Sequence, residues 1–345
     1  MTETMSSIFR KIKSNPRAEL YTVSIVAILF SLTTVFWQVQ FMGIPYLETG
    51  NQIKSHNAVM QGTAGNPWQY RILAEYAVEG FIRFFQGMNF PHAIAVAFIF
   101  FRLLQNFLIF LIAYIYYRRL RLSTAQALMG LCILTWSMTN ALDASDLQFN
   151  TYFDILFYLL AGLAILHEKP FWIIPLSVLA TFNRETSGLI PLMLLATQYR
   201  TAPGKAKTRS IVAAVLSLTL YLAIFLGLRL YFGPRELVLP YGHIPGFDLL
   251  VYNLFHPVTW VMLIATLGIL PFLAVFSYPR WPRGLKAFFW TVVPIWFFVH
   301  AFGGVMAETR LFLVPQALIF IPGALLLVST SNSPSSTQGG TLLGN

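Results

Sequence analysis

The sequence predicts an all-α, polytopic bundle of membrane-spanning helices, and three observations predict it. Only 10% of the residues are charged and 57% are hydrophobic, where soluble domains carry about 25% charged residues. The apolar residues arrive in blocks of the length that crosses a bilayer, about 20 residues. The basic residues gather at alternate block ends, as the positive-inside rule requires. These features exclude a soluble globular domain and a disordered chain. The net charge of +10 therefore reads as orientation, not as nucleic-acid binding. The single cysteine, Cys132, excludes an intramolecular disulfide and a cysteine-based metal cluster.

Three regions follow from the blocks: a cytoplasmic segment 1–19, one transmembrane domain 20–330 and a Ser/Gly/Thr-rich tail 331–345. The first span is 20–42, preceded by Arg10, Lys11, Lys13 and Arg17. It is too long for a signal-peptide core. An outer loop covers 43–90. Spans 91–117, 124–141 and 151–166 follow, then two apolar pieces, 171–182 and 187–199, broken by Asn183-Arg184-Glu185-Thr186. A dozen helical residues reach roughly 18 Å, short of the ~30 Å core, so these pieces predict a re-entrant pair with Arg184 and Glu185 at its outer tip. Further spans are 210–232, 257–278, 287–304 and 311–330. On this topology fifteen Lys and Arg face the inside and seven the outside, with Arg102 inside a span. Both termini are then cytoplasmic. Ten of thirteen carboxylates and five of six histidines fall at the outer face. Carboxylates steer topology little, so this skew marks outer-face chemistry.

The outer segments supply the candidates. The first loop carries Glu48 and Arg71. Asn66 reads as an N-cap and Pro67 as the first residue of an amphipathic helix over 67–86. Its expected apolar side is Leu73, Tyr76, Ala77, Gly80, Phe81 and Phe84. Its charged stripe is Glu75, Glu79 and Arg83, and an interfacial surface helix accounts for that stripe. Asp146, Asn150 and Asp154 share one face of a helix beginning near Ser145. Asp154, set inside the apolar block, requires a partner or a polar cavity. Arg102 is an equally costly intramembrane charge, and Asp154 is its candidate partner. Asp143 and Asp146 are hard oxygen ligands suited to a divalent cation such as Mg or Mn, although their spacing alone also fits helix capping. A broken backbone at membrane depth persists only where it is buried in protein or lines a wet cavity, which singles out Arg184 and Glu185. Glu308 and Arg310 repeat the acid–arginine pairing at the start of the last span. Arginine, with its planar fork, is the preferred binder of phosphate oxygens. The sequence has no Gly-rich phosphate loop, HExxH or GxSxG motif.

This layout resembles the polytopic GT-C class glycosyltransferases, which use polyprenyl-phosphate-linked sugars. Pro67-Trp68-Gln69-Tyr70-Arg71 and Asn183-Arg184-Glu185-Thr186 are similar to segments of bacterial members. The resemblance covers about residues 20–330. It implies a bacterial plasma-membrane transferase. Glu48 would be its catalytic base, at a position the class usually fills with Asp, and Asp146 a second catalytic carboxylate. Arg71, Asp154, Arg184, Glu185, Glu308 and Arg310 would bind substrate. One base with direct displacement implies inversion at the anomeric carbon. The expected partners are a polyprenyl-phosphate sugar and membrane lipid, without nucleic acid. Another lipid-phosphate enzyme, or a non-catalytic lipid or small-solute transporter or scaffold, is the competing reading, because broken helices with buried charges also mark transporters.

Overall fold

The computed structural model describes residues 16–142, 147–199 and 204–328. Asp143, Asp146 and the tail 331–345 lie outside the described residues. The described chain is helical, with no β-strand and a single isolated bridge between Asn66 and Leu237.

Among the described residues six helices are long and apolar enough to cross a membrane: α1 (Pro16–Met42), α5 (Ala93–Arg119), α7 (Phe149–Leu166), α10 (Lys205–Phe232), α14 (Arg283–Gly303) and α15 (Thr309–Val328). Between them lie α2 (Ile44–Glu48), α3 (Asn51–Met60), α4 (Ile72–Gly87), α6 (Thr124–Asn140), α8 (Ile173–Thr181), α9 (Leu189–Tyr199), α11 (Phe247–Phe255), α12 (Pro257–Leu267) and α13 (Leu270–Ser277). α7 and α15 are the buried centre, while α1 and α10 leave most of their side chains on the outside. Those outward side chains include Leu20, Ile25, Phe36, Leu222 and Leu230. A soluble protein does not offer water so continuous an apolar surface; hydrocarbon is the solvent that such a surface fits.

Helix ends follow the local chemistry. α6 begins with a capping box, Ser123 Oγ accepting from the Gln126 N–H and the Gln126 side chain accepting from the Ser123 N–H. The predicted span 257–278 is not one helix. It breaks into α12 and α13 at Gly268, whose φ of 58° suits a residue without Cβ, and Pro271 sits in the first turn of α13. The amphipathic helix also starts later than 67. Trp68–Tyr70 forms a 3₁₀ turn and α4 begins at Ile72, with Arg71 at the capping position, so Asn66 caps nothing there. Instead Asn66 joins the loop after α10: its N–H donates to Glu236 O and its carbonyl accepts from the Val238 N–H. The buried stripe of α4 is Ala74, Val78 and Ile82 together with Glu75. Tyr76 and Phe84, on the expected apolar side, are exposed. α4 carries apolar residues nearly all round, and in a membrane protein an apolar side chain need not face the core.

The centre packs through aromatic–glycine contacts. On α5, Tyr116 lies over Gly162 of α7 and Tyr117 over Gly130 of α6. Their hydroxyls donate to Leu318 O and Ala317 O. α15 widens to a π-turn at Gln316–Phe320, where the regular ladder is interrupted, and the two phenols meet carbonyls within it.

The segment 170–199 is a broken hairpin. Thr151, near the start of α7, and Leu166, at its end, lie about 22 Å apart along the axis. α8 returns from the Leu166 end toward the Thr151 end. Arg184 is extended (φ −162°, ψ 151°), a 3₁₀ turn covers Glu185–Gly188, and α9 follows. α10 packs along Pro170–Trp172 as well as against Glu185–Gly188 and Trp68–Tyr70. Its C-terminal half holds the last two contacts, through Tyr221 and Arg229, so its N-terminus lies at the 170–172 end. α9, joined to α10 by a short loop, must run back to that end.

Candidate functional site

The site is built where the hairpin breaks against the first turns of α7. The Asn183 amide donates to Asn150 O (2.8 Å) and to Asp154 Oδ1 (2.6 Å). The Arg184 guanidinium meets the Asp154 carboxylate at 3.1 Å, and both side chains are buried. Arg184 also donates to Thr151 Oγ1. The carbonyls freed by the break are satisfied from three directions. The Leu73 N–H, an unpaired donor in the first turn of α4, reaches Phe182 O. Tyr221 Oη donates to Glu185 O and Tyr158 Oη to Thr186 O. A broken backbone so completely answered is a constructed feature.

Around Arg184 stand two more acid–arginine pairs. Arg71 donates through Nε and Nη2 to Glu185 Oε2, at 3.1 and 2.8 Å. Arg229 approaches the same carboxylate at 3.8 Å and lies over the Tyr70 ring. Glu308 and Arg310 pair at 2.8 Å. Asn253 holds the loop before them, bonding Ala301 O, Gly304 O and the Met306 N–H.

Two cavities open here and share one wall. The first, about 350 Å³, has a polar end formed by Asn51, Gln52, Ser55, Glu75, Gln148, Asn150 and Thr151. The second, about 520 Å³, has an apolar side formed by Leu237, Val238, Leu239, Val299 and Leu311, and includes His300. Trp68, Arg71, Arg184, Glu308 and Arg310 line both. Leu237, Val238 and Leu239 are also exposed on the outside, so the apolar side of the second cavity continues onto the outer surface of the protein. Arg184 Nη1, Gln148 Oε1 and Nε2, and Asn150 Oδ1 are buried without a hydrogen-bond partner. Gln148 further holds a left-handed backbone (φ 60°), an uncommon conformation for a residue with a side chain. Buried unpaired donors and acceptors beside a cavity are what a polar ligand completes.

No protein-family model, curated protein or solved structure matches the chain. The site is therefore read from its own geometry. Arg71, Asp154, Arg184, Glu185, Glu308 and Arg310 come together. Glu48 does not join them: it pairs with His92 at 3.0 Å and lines neither cavity. Asp143 and Asp146 lie outside the described residues, and among the described residues no three His, Cys, Asp or Glu side chains converge as a metal site. Arg102 is not the partner of Asp154. It binds Gln38 and Asn106 and stacks on Tyr152, because Asp154 is taken by Arg184.

The stripe Glu75–Glu79–Arg83 is more than a surface feature. His56 of α3 is buried between the two carboxylates, Nδ1 on Glu75 at 2.7 Å and Nε2 on Glu79 at 3.0 Å. Arg83 closes the row on Glu79. Burial works against the charged imidazole, yet the hydrogen bonds and charges of Glu75 and Glu79 outweigh it, so the His56 pKa is raised. Burial also pushes Glu79 up, but Arg83 and His56 more than offset it and its pKa is lowered. His56, Gln148 and Gln52 had no motif to announce them. Only the tertiary packing brings Gln52 and Gln148 to one cavity and sets His56 behind it on Glu75.

Proposed function

We propose that the chain is a GT-C-like membrane glycosyltransferase that moves a sugar from a polyprenyl-phosphate donor to an acceptor at the outer face. The observation that supports this reading is the arginine wall: Arg71, Arg184 and Arg310 stand between an apolar-sided cavity and a polar one. A lipid-linked sugar phosphate has the same order of parts. Its tail fits the side carrying Leu237, Val238 and Leu239, its phosphate the guanidinium groups, and its sugar the polar end with Gln148 and Asn150. The hairpin 170–199 is then the re-entrant pair, with Arg184 and Glu185 at its outer tip and both chain termini inside.

In the reaction the acceptor oxygen attacks the anomeric carbon as the carbon–oxygen bond to phosphate breaks. The polyprenyl phosphate leaves with that electron pair, and its charge is stabilised by the guanidinium groups. The acceptor proton passes to a carboxylate. Glu75 is the carboxylate at the polar end that is held by an imidazole and not by an arginine, and we assign it the base in place of Glu48. Direct displacement with one base inverts the anomeric centre.

Turnover of a panel of polyprenyl-phosphate sugars by the purified protein, with and without added Mg, tests the reading. Glu75→Gln should abolish turnover and retain donor binding. Glu48→Gln should leave turnover in place; the opposite result returns the base to Glu48. Binding of the donors with no transfer or hydrolysis would favour the transporter or scaffold reading.

A further inference from the structure

We propose that the opposite end of the bundle carries a second anion site that holds an anionic phospholipid with a two-phosphate headgroup. This inference does not depend on the transferase reading. A cavity of about 1260 Å³ opens where α5, α7 and α15 end and α14 begins. Its lining includes four arginines, Arg119, Arg121, Arg280 and Arg283, and no carboxylate.

The positive-inside bias accounts for arginines on this side of the bundle but not for their convergence. Arg119 and Arg121 come from the end of α5, while Arg280 and Arg283 come from the α13–α14 turn, about 160 residues later. Four like charges around one cavity repel, and an anion is what offsets that cost. Two of the four are already engaged. Arg119 donates to Leu166 O at the end of α7, and Arg280 to Leu327 O near the end of α15, where each cation also faces the negative end of a helix dipole. Arg121 and Arg283 are exposed, and their side chains make no hydrogen bond or ion pair among the described residues. Two uncommitted cations match the two phosphodiester charges of a diphosphatidylglycerol headgroup. Leu166, Leu326, Leu327 and Val328 supply the apolar wall for its acyl chains. Basic pockets between helix ends on the cytoplasmic side are where such headgroups bind.

Native mass spectrometry of the full-length protein, stripped of lipid and titrated with diphosphatidylglycerol or phosphatidylcholine, tests the site. The wild type should bind the two-phosphate lipid in preference. An R121Q/R283Q variant should bind it about thirtyfold more weakly, at about a tenfold loss per 1.4 kcal/mol and about 1 kcal/mol per arginine. Its melting in phosphatidylcholine should match the wild type, since neither side chain supports the fold. A K205Q/K207Q variant loses the same charge away from the cavity and should keep wild-type affinity. An unchanged affinity in R121Q/R283Q, or an equal loss in K205Q/K207Q, would overturn the proposal. Displacement of the lipid by equimolar inorganic pyrophosphate would also overturn it, by assigning the cavity to a soluble anion.

Discussion

Arg184 is buried against a single carboxylate, Asp154, with Nη1 unpaired beside the cavities. Removing one member of such a pair strands the other charge, whereas removing both does not. Asp154→Asn should therefore destabilise the protein by about 3–5 kcal/mol, read as a fall in the melting temperature in detergent. The double variant Asp154→Leu with Arg184→Met should recover much of that loss while abolishing binding of the sugar-phosphate donor. A second residue-scale outcome concerns His56. Its folded-state pKa lies above the ordinary value, so its contribution is complete below about pH 6.5 and is lost as pH rises through the raised folded value. Melting temperature should decline over that rise in the wild type, and the decline should disappear in His56→Gln. A wild-type profile flat from pH 6 upward would refute the imidazolium clamp on Glu75 and Glu79.

The elements are held by a few polar contacts inside an apolar bundle. The Tyr116 and Tyr117 hydroxyls reach the π-turn of α15, and in the absence of water their carbonyl partners have no substitute. Tyr117→Phe should cost about 1–3 kcal/mol, the penalty for a buried acceptor left unmade. Gly130→Val should cost at least as much, because even a Cβ at that position comes within 2.8 Å of the Tyr117 ring. Thermal melting of the two variants and of their combination checks the pairing: in the double variant the losses should not add, since both act on one contact. The break at 182–184 behaves differently. Its partners lie on α4, α7 and α10, so a change such as Tyr158→Phe should perturb donor affinity as well as melting.

At the scale of the whole molecule, the two ends of the bundle are chemically unlike. One end gathers Arg71, Arg184, Arg229 and Arg310 with Glu185, Glu308 and Asp154; the other gathers Arg119, Arg121, Arg280 and Arg283 around a cavity with no carboxylate in its lining. The second end is the one that the positive-inside rule places in the cytoplasm. In a Cys132→Ser background, Lys205→Cys and Lys286→Cys should resist an impermeant thiol reagent in intact cells, while His243→Cys should react. Labelling of the first two from outside would invert the topology and move the arginine wall to the cytoplasmic face.

The sequence alone determined the fold class, because apolar blocks and sparse charge leave helices crossing a bilayer as the only way to satisfy the backbone. It also marked the break at Asn183–Thr186, since two pieces of a dozen residues cannot span, and it marked Arg71, Asp154, Arg184, Glu185, Glu308 and Arg310 as costly polar residues in an apolar chain. Partnership was beyond it. Asp154 was matched to Arg102 by depth, but the hairpin delivers Arg184 to the same carboxylate, and depth says nothing about azimuth. Glu48 was drawn to the site by its place in the first loop, yet α2 turns it toward His92. The residues of α4 that face protein are not legible in its apolar side, because hydropathy cannot separate side chains facing lipid from those facing protein. Only the tertiary structure decided these pairings, because contacts between remote helices depend on rotation and packing that no local spacing records.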